Sequence, residues 1–187
     1  MARADGRLTA DLNPQDHGPQ DACGVIGIYA PGEEVSKLTY FGMYALQHRG
    51  QESAGMAVSD GRHMMVFKDM GLVSQVFDEA TLNSLQGHMA VGHTRYSTTG
   101  ASIWDNAQPT FRSRQGGDGL ALAHNGNLTN TGALEALIAE RAPDTEVPHK
   151  DRMDSSNDTS LVTALMTTYD GTLEEVAAQV LPHLQGA

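Results

Sequence analysis

Cysteine is almost absent, with a single one, Cys23, in 187 residues. One thiol cannot close an intramolecular disulfide, which excludes disulfide-stapled secreted scaffolds and points to a reducing compartment, the cytoplasm. No apolar run approaches the roughly 20 residues that a membrane-spanning helix needs, so no membrane association is expected. Cations are scarce: 12 Lys and Arg stand against 23 Asp and Glu, a net charge of -11. Without a basic stripe to track phosphates, nucleic acid is not an expected partner. Metal-ligand spacings such as CxxC or HExxH are missing too, so eight histidines do not by themselves mark a metal site.

What is present suits one globular domain with a real core, at 40% hydrophobic and 19% charged residues. The opening "MARADGRLTADLNPQDHGPQDA", residues 1–22, lacks the apolar segment of a secretory signal, and its Pro, Gln, Asp and Gly content predicts a disordered leader. From Cys23 onward strand and helix periods alternate. "GVIGIYA" reads as a buried strand, and "EEVSKLTYFGMYALQHRG" as a helix that buries Val35, Leu38, Phe41, Ala45 and Leu46 and ends near Gly50. "SAGMAVSDGRHMMVFK" predicts a hairpin turning at Asp60-Gly61. Residues 71–86 read as loop with short helical pieces, "HMAVGHTRY" as a strand, and the Ser-, Thr-, Gly-, Asn- and Pro-rich stretch 97–119 as surface loops. "LALAHNG" returns to strand; "TGALEALIAER", "DTSLVTALMTTY" and "TLEEVAAQVLPHL" are helical, with Asp158 a candidate N-cap. Strands first and helices after predict an α+β layered sandwich over a doubly wound parallel sheet.

The chemistry gathers in "ACGVIGI", "GHTRYSTTG" and "AHNGNL". Each alone has a bland explanation. A lone cysteine is more often a small buried hydrophobe than a nucleophile, and Asn-Gly is more often a tight turn. Arg95 reads equally as a surface charge, and His93 or His124 as a satisfied histidine at a strand end.

Taken in order, "CGVIGIYA", "LQHRGQESAGMAV", "GHTRYSTTG", "NAQP" and "LAHNGNLTN" resemble the class II glutamine amidotransferases, which are N-terminal nucleophile hydrolases. The resemblance covers residues 23–187 and implies a four-layer αββα sandwich, cut short at its C-terminal end. "LQHRGQESAG" resembles those members that hand ammonia to a phosphoribosyltransferase domain, at the first step of purine synthesis. That domain is not expected within this chain. The resemblance makes Cys23 the nucleophile on glutamine once residues 1–22 are removed. The freed α-amino group, with a reference pKa of about 7.7–8.0, can take up and return a proton near working pH. Asn125 and Gly126 would form the oxyanion hole, and Arg95 would grip the α-carboxylate of glutamine with its planar fork. Tyr96 would begin a closing lid. Asp158 would meet the α-ammonium, although Asn157 precedes it and Ser160 stands where relatives often carry glutamate; Asp154 is its competitor. Arg49 and Gly50 match a pair beside the nucleophile, and also suit a helix end with a cationic last turn.

For the full-length family enzyme the resemblance implies phosphoribosyl diphosphate, magnesium, a homo-oligomer and, in some members, an iron–sulfur cluster. No cofactor is expected within this segment. Two alternatives remain: a glutaminase domain of the glucosamine-6-phosphate synthase, asparagine synthetase or glutamate synthase type, or a truncated, non-catalytic interaction module.

Overall fold

Branched apolar residues alternating with glycine make Gly24–Tyr29 the first strand, β1. The computed structural model describes residues 23–96, 103–114, 117, 119–143 and 157–186, so the expected leader lies outside it. Ser53–Ser59 (β2) and Met64–Met70 (β3) form the expected hairpin, with Ser59 opposite Met64. Its connection is longer than a two-residue turn. Gly61 takes φ +87, and the Asp60 carboxylate accepts hydrogen bonds from the backbone N–H of Arg62 and His63, at 2.7 and 2.6 Å. Met89–Arg95 (β4) inserts between β1 and β2, giving an antiparallel sheet of order β1-β4-β2-β3.

One face of this sheet carries Ile26, Met56, Val58 and Ala90 against helices α1 (Val35–Ala45), α2 (Val73–Val76) and α3 (Glu79–Ser84). The buried side of α1 differs from the sequence expectation. Val35, Ser36, Thr39 and Met43 face inward, while Leu38 and Phe41 are 42% and 66% exposed. The reason is close approach: a Cβ on Gly92 of β4 would stand 2.7 Å from both Met43 Sδ and Thr39 Cγ2. The helix lies so near the strand that small and flexible side chains fit beneath it and bulky ones turn away.

The polar stretch expected to lie in surface loops instead contains strand β5 (Thr110–Ser113), paired antiparallel with β6 (Gly119–Leu122). Within it Asn106, Ala107, Gln108 and Thr110 are buried. Their polarity is met inside: Lys68 Nζ donates to the Ala107 carbonyl, and the hydroxyls of Thr110 and Thr163 lie 2.5 Å apart. Leu120 and Leu122 pack on a second core made by α4 (Thr131–Arg141), α5 (Asp158–Met166) and α6 (Leu173–Val180).

The result is four layers, helices outside and the two sheets within, in agreement with the α+β sandwich expectation. A cavity of about 300 Å³ separates the sheets at one end, lined by Ala57 and Val91 on one side and Leu120 and Ala121 on the other. Among the described residues no helix is long and apolar enough to cross a membrane.

Gly92→Ala should lower stability by about 1–3 kcal/mol, because Thr39 is β-branched and has little freedom to yield. Gly132→Ala, in the first turn of α4 with open space around it, should raise stability by about 0.4–1 kcal/mol. Urea unfolding of the two variants beside the parent measures both.

Candidate active site

Alternation along β4 divides its side chains between two environments. Ala90, Gly92 and Thr94 lie toward the helices, whereas Val91, His93 and Arg95 face the second sheet. Cys23 stands just before Gly24, which pairs with Thr94, so the thiol comes to the end of β4. Its Sγ lies 3.4 Å from both the N–H and the carbonyl oxygen of Tyr96, and the residue is partly exposed.

Two side chains from distant parts of the chain hold the Cys23 carbonyl. Asn125 Nδ2 donates to it at 2.8 Å across 102 residues, and Arg49 Nε donates at 3.3 Å. Arg49 closes a 3-10 turn, Gln47–Arg49, that follows α1. The next residue presses against β4: a Cβ on Gly50 would stand 2.5 Å from the Thr94 carbonyl carbon and oxygen and 2.7 Å from Arg95 N. These are backbone atoms with no room to yield, so glycine at this position lets Arg49 reach the Cys23 carbonyl. Asn125 and Gly126 are themselves exposed, at the mouth of the site.

Arg95 is not a surface charge. It is only 7% exposed, and Nη1 meets Glu52 Oε1 at 3.0 Å. Glu52 escaped the sequence reading although it lies inside "LQHRGQESAG", because an acidic residue after a helix end carries no signal until its partner is placed. Removing one partner of such a buried pair typically costs about 3–5 kcal/mol.

Asp158 is not the cap of α5. Asn157 holds that position, its side chain accepting from Thr159 N, which corrects the sequence expectation. The Asp158 carboxylate instead reaches toward the "HNGNL" loop: Oδ2 accepts from Leu128 N at 2.7 Å and Oδ1 lies 3.8 Å from His124 Nδ1. The latter separation is an ion-pair distance when the ring is protonated, too long for a hydrogen bond. Burial acts to raise the Asp158 pKa, but His124 and the N–H groups of Leu128 and Thr159 together hold it below the usual carboxylate value. Tyr96 is 42% exposed; residues 97–102 of the expected lid, and Asp154, lie outside the described residues.

His93 is fully buried, with Nε2 3.2 Å from the His124 carbonyl oxygen. The histidine is only half satisfied, since its Nδ1 finds no hydrogen-bond partner among the described residues. Burial, offset only in part by the bond to His124, pushes its pKa down to about 4, so the ring is neutral near pH 7. Gln108, also unforeseen, accepts from His124 N at 2.8 Å. Among the described residues no group of three or more His, Cys, Asp or Glu side chains is disposed to hold a metal ion. The arrangement offers a partly exposed thiol, amide and guanidinium donors on the carbonyl of the same residue, a carboxylate that anchors the loop carrying the amide, and a buried arginine at the end of β4.

No family model matches the chain. Over 189 aligned positions it is 52% identical to an amidophosphoribosyltransferase of Mycobacterium tuberculosis, an alignment that covers 96% of this chain and 34% of the relative. A solved Bacillus subtilis glutamine phosphoribosylpyrophosphate amidotransferase, complexed with ADP and GMP, superposes with a TM-score of 0.71 at 35% identity over 87% of this chain and 33% of that one. A second solved structure, described as the allosteric regulatory enzyme of purine biosynthesis, superposes with a TM-score of 0.74 at 35% identity and the same coverage. The chain thus spans about a third of the length of the curated relatives it matches.

A carboxylate held below its ordinary pKa contributes stability that is present above the unfolded value and lost as the pH falls through the folded one. Between about pH 5 and pH 3 the parent should therefore lose more stability than Asp158→Asn, a difference read from urea midpoints at both pH values. Equal losses in the two proteins would show that the carboxylate gains nothing from Leu128 and His124.

Proposed function

The chain belongs to the amidophosphoribosyltransferase family, spanning about a third of its members' length, and from that premise we propose that residues 23–187 are the glutamine-hydrolysing part of such an enzyme. The observation that supports this most is the meeting of Asn125 and Arg49 on Cys23, brought together from three separate stretches of sequence.

In this reading residues 1–22 are removed and Cys23 becomes the first residue. Its sulfur attacks the side-chain amide carbon of glutamine while the α-amino group takes the thiol proton. The resulting oxyanion is met by donors set in place beforehand, the Asn125 side-chain NH2 and the Gly126 N–H. Collapse of the tetrahedral species expels ammonia, which receives the proton from the α-ammonium group. The γ-glutamyl thioester left on Cys23 is then hydrolysed by water to glutamate and free thiol. Arg95 supplies the cation for the α-carboxylate of glutamine; Glu52 holds the guanidinium fork at the end of β4. Asp158 supplies the anion for the α-ammonium.

For the whole protein, the released ammonia aminates phosphoribosyl diphosphate in the first step of purine synthesis. Magnesium, an iron–sulfur cluster and homo-oligomerisation belong to that larger proposal, and the described residues include no cluster fit for a metal. The relatives' names favour a phosphoribosyl acceptor over a sugar phosphate or aspartate.

Diazo-oxo-norleucine, an electrophilic glutamine analogue, should label the trimmed chain at Cys23 and leave Cys23→Ala unlabelled, as read by intact mass. Asn125→Ala should slow glutamine hydrolysis by about a hundredfold to a thousandfold. A chain that keeps residues 1–22 should be nearly inactive. Labelling of Cys23→Ala at the parent's rate, or full activity in the untrimmed chain, would overturn the reading.

A further inference from the structure

The "HNGNL" loop leaves β6, which ends at Leu122, and for three residues, 125–127, its side chains are exposed. Among the described residues no strand partner fixes the backbone of His124, the residue before Asn125. Two buried side chains do so instead. Gln108, 6% exposed, accepts the His124 N–H through Oε1 at 2.8 Å, and His93, 0% exposed, meets the His124 carbonyl through Nε2 at 3.2 Å. The two anchors come from different elements: His93 from the inner face of β4, Gln108 from the segment that enters β5. Beyond the exposed arc, Asp158 Oδ2 holds Leu128 N at 2.7 Å, so the far end is tied as well.

Both backbone polar groups of one residue, one in each of the peptides flanking its Cα, are thus taken by side chains that are themselves buried. The carbonyl can only accept, so His93 Nε2 carries the proton and donates. Nothing among the described residues meets its Nδ1, so holding His124 is the only hydrogen bond this buried ring makes there. The segment carrying Gln108 is held in turn by Lys68 on the Ala107 carbonyl.

We propose that His93 and Gln108 are positioning residues that clamp the His124 backbone, through its carbonyl and its N–H, and thereby aim the Asn125 amide at the Cys23 site. This rests on the glutaminase reading for its catalytic consequence, but the clamp itself is a statement about backbone order. Misplacing a catalytic donor by about 1 Å costs up to a hundredfold in rate with little change in ground-state binding.

The experiment uses the chain expressed from Met1 and trimmed before Cys23, in four forms: parent, His93→Leu, His93→Gln and Gln108→Met. Saturation kinetics of diazo-oxo-norleucine labelling separate the maximal rate from the half-saturating concentration, and hydrogen exchange follows residues 123–127. In His93→Leu and Gln108→Met the maximal labelling rate should fall about tenfold to a hundredfold with half-saturation within about twofold of the parent. Exchange at residues 124–126 should quicken in both. His93→Gln keeps a side-chain N–H of similar reach and should recover most of the rate. Folded variants with the parent's rate, a change in half-saturation alone, or a His93→Gln no better than His93→Leu would overturn the proposal. If His93→Leu does not fold, Gln108→Met and His93→Gln decide in the same way. A parent chain that is not labelled sinks the glutaminase reading, and exchange then judges the clamp: quickened exchange supports it, unchanged exchange overturns it.

Discussion

The hydrogen bond from the Asn125 amide to the Cys23 carbonyl joins the start of one sheet to the loop leaving the other, and everything proposed for the thiol depends on that junction. A single neutral hydrogen bond contributes only about 0.5–1.5 kcal/mol net, too little to define a position by itself. What defines this one is the rigidity on each side. Cys23 is placed by the ladder of β1 on β4 and by Arg49, which Gly50 lets approach the backbone of β4. Asn125 is placed by the held backbone of His124 before it and by the Asp158 anchor after it. The junction is where two rigid bodies meet, and its geometry is inherited from both.

Strand β4 shows how one periodic element serves packing and chemistry together. Along its inner face Val91 lines the apolar cavity, His93 holds the loop, and Arg95 pairs with Glu52. Over five residues one face passes from hydrocarbon to ion pair, while Gly92 on the opposite face admits α1. A slip of one residue in the pairing with β2 would exchange these faces, moving Arg95 into the helix layer and a glycine toward the loop. The register is therefore fixed by burial of the outer face and, through it, so is the site.

Most of the framework was legible in the sequence because its signals are local. Alternation in "GVIGIYA" and "HMAVGHTRY", Asp60-Gly61 and the helical period of "TGALEALIAER" each report on neighbours a few residues away. The ordered series of short motifs pointed to Cys23, Arg49, Arg95 and Asn125, which the fold gathers at or beside the end of β4. What was not legible is what depends on distant partners. The buried side of α1 kept Val35 but lost Leu38 and Phe41 to solvent because Gly92, on a strand far along the chain, sets how close the helix comes. Gln108 and Thr110 read as loop until His124 and Thr163 are there to receive their polar atoms. Asn157 displaced Asp158 as the cap because the aspartate is drawn to Leu128, a tertiary contact that no capping preference encodes.

Several of the buried polar atoms that find no hydrogen-bond partner among the described residues lie toward the thiol end of the sheet. Among the described residues the Ser53 and Thr94 hydroxyls and the Nδ1 atoms of His93 and His124 are buried without hydrogen-bond partners. Ser53 lies opposite Arg95 in the ladder, and Thr94 lies opposite Gly24, so these atoms gather at the thiol end of the sheet. A buried unpaired donor or acceptor costs about 1–3 kcal/mol, and a hydrocarbon of the same shape would be more stable. The apolar stretches of β1 and β2, which face α1 and α2, show that the fold has such side chains available for cores. The cost of His93 has a compensation that can be named, because an apolar ring of equal size would fill the space and leave the His124 carbonyl with nothing to hold it.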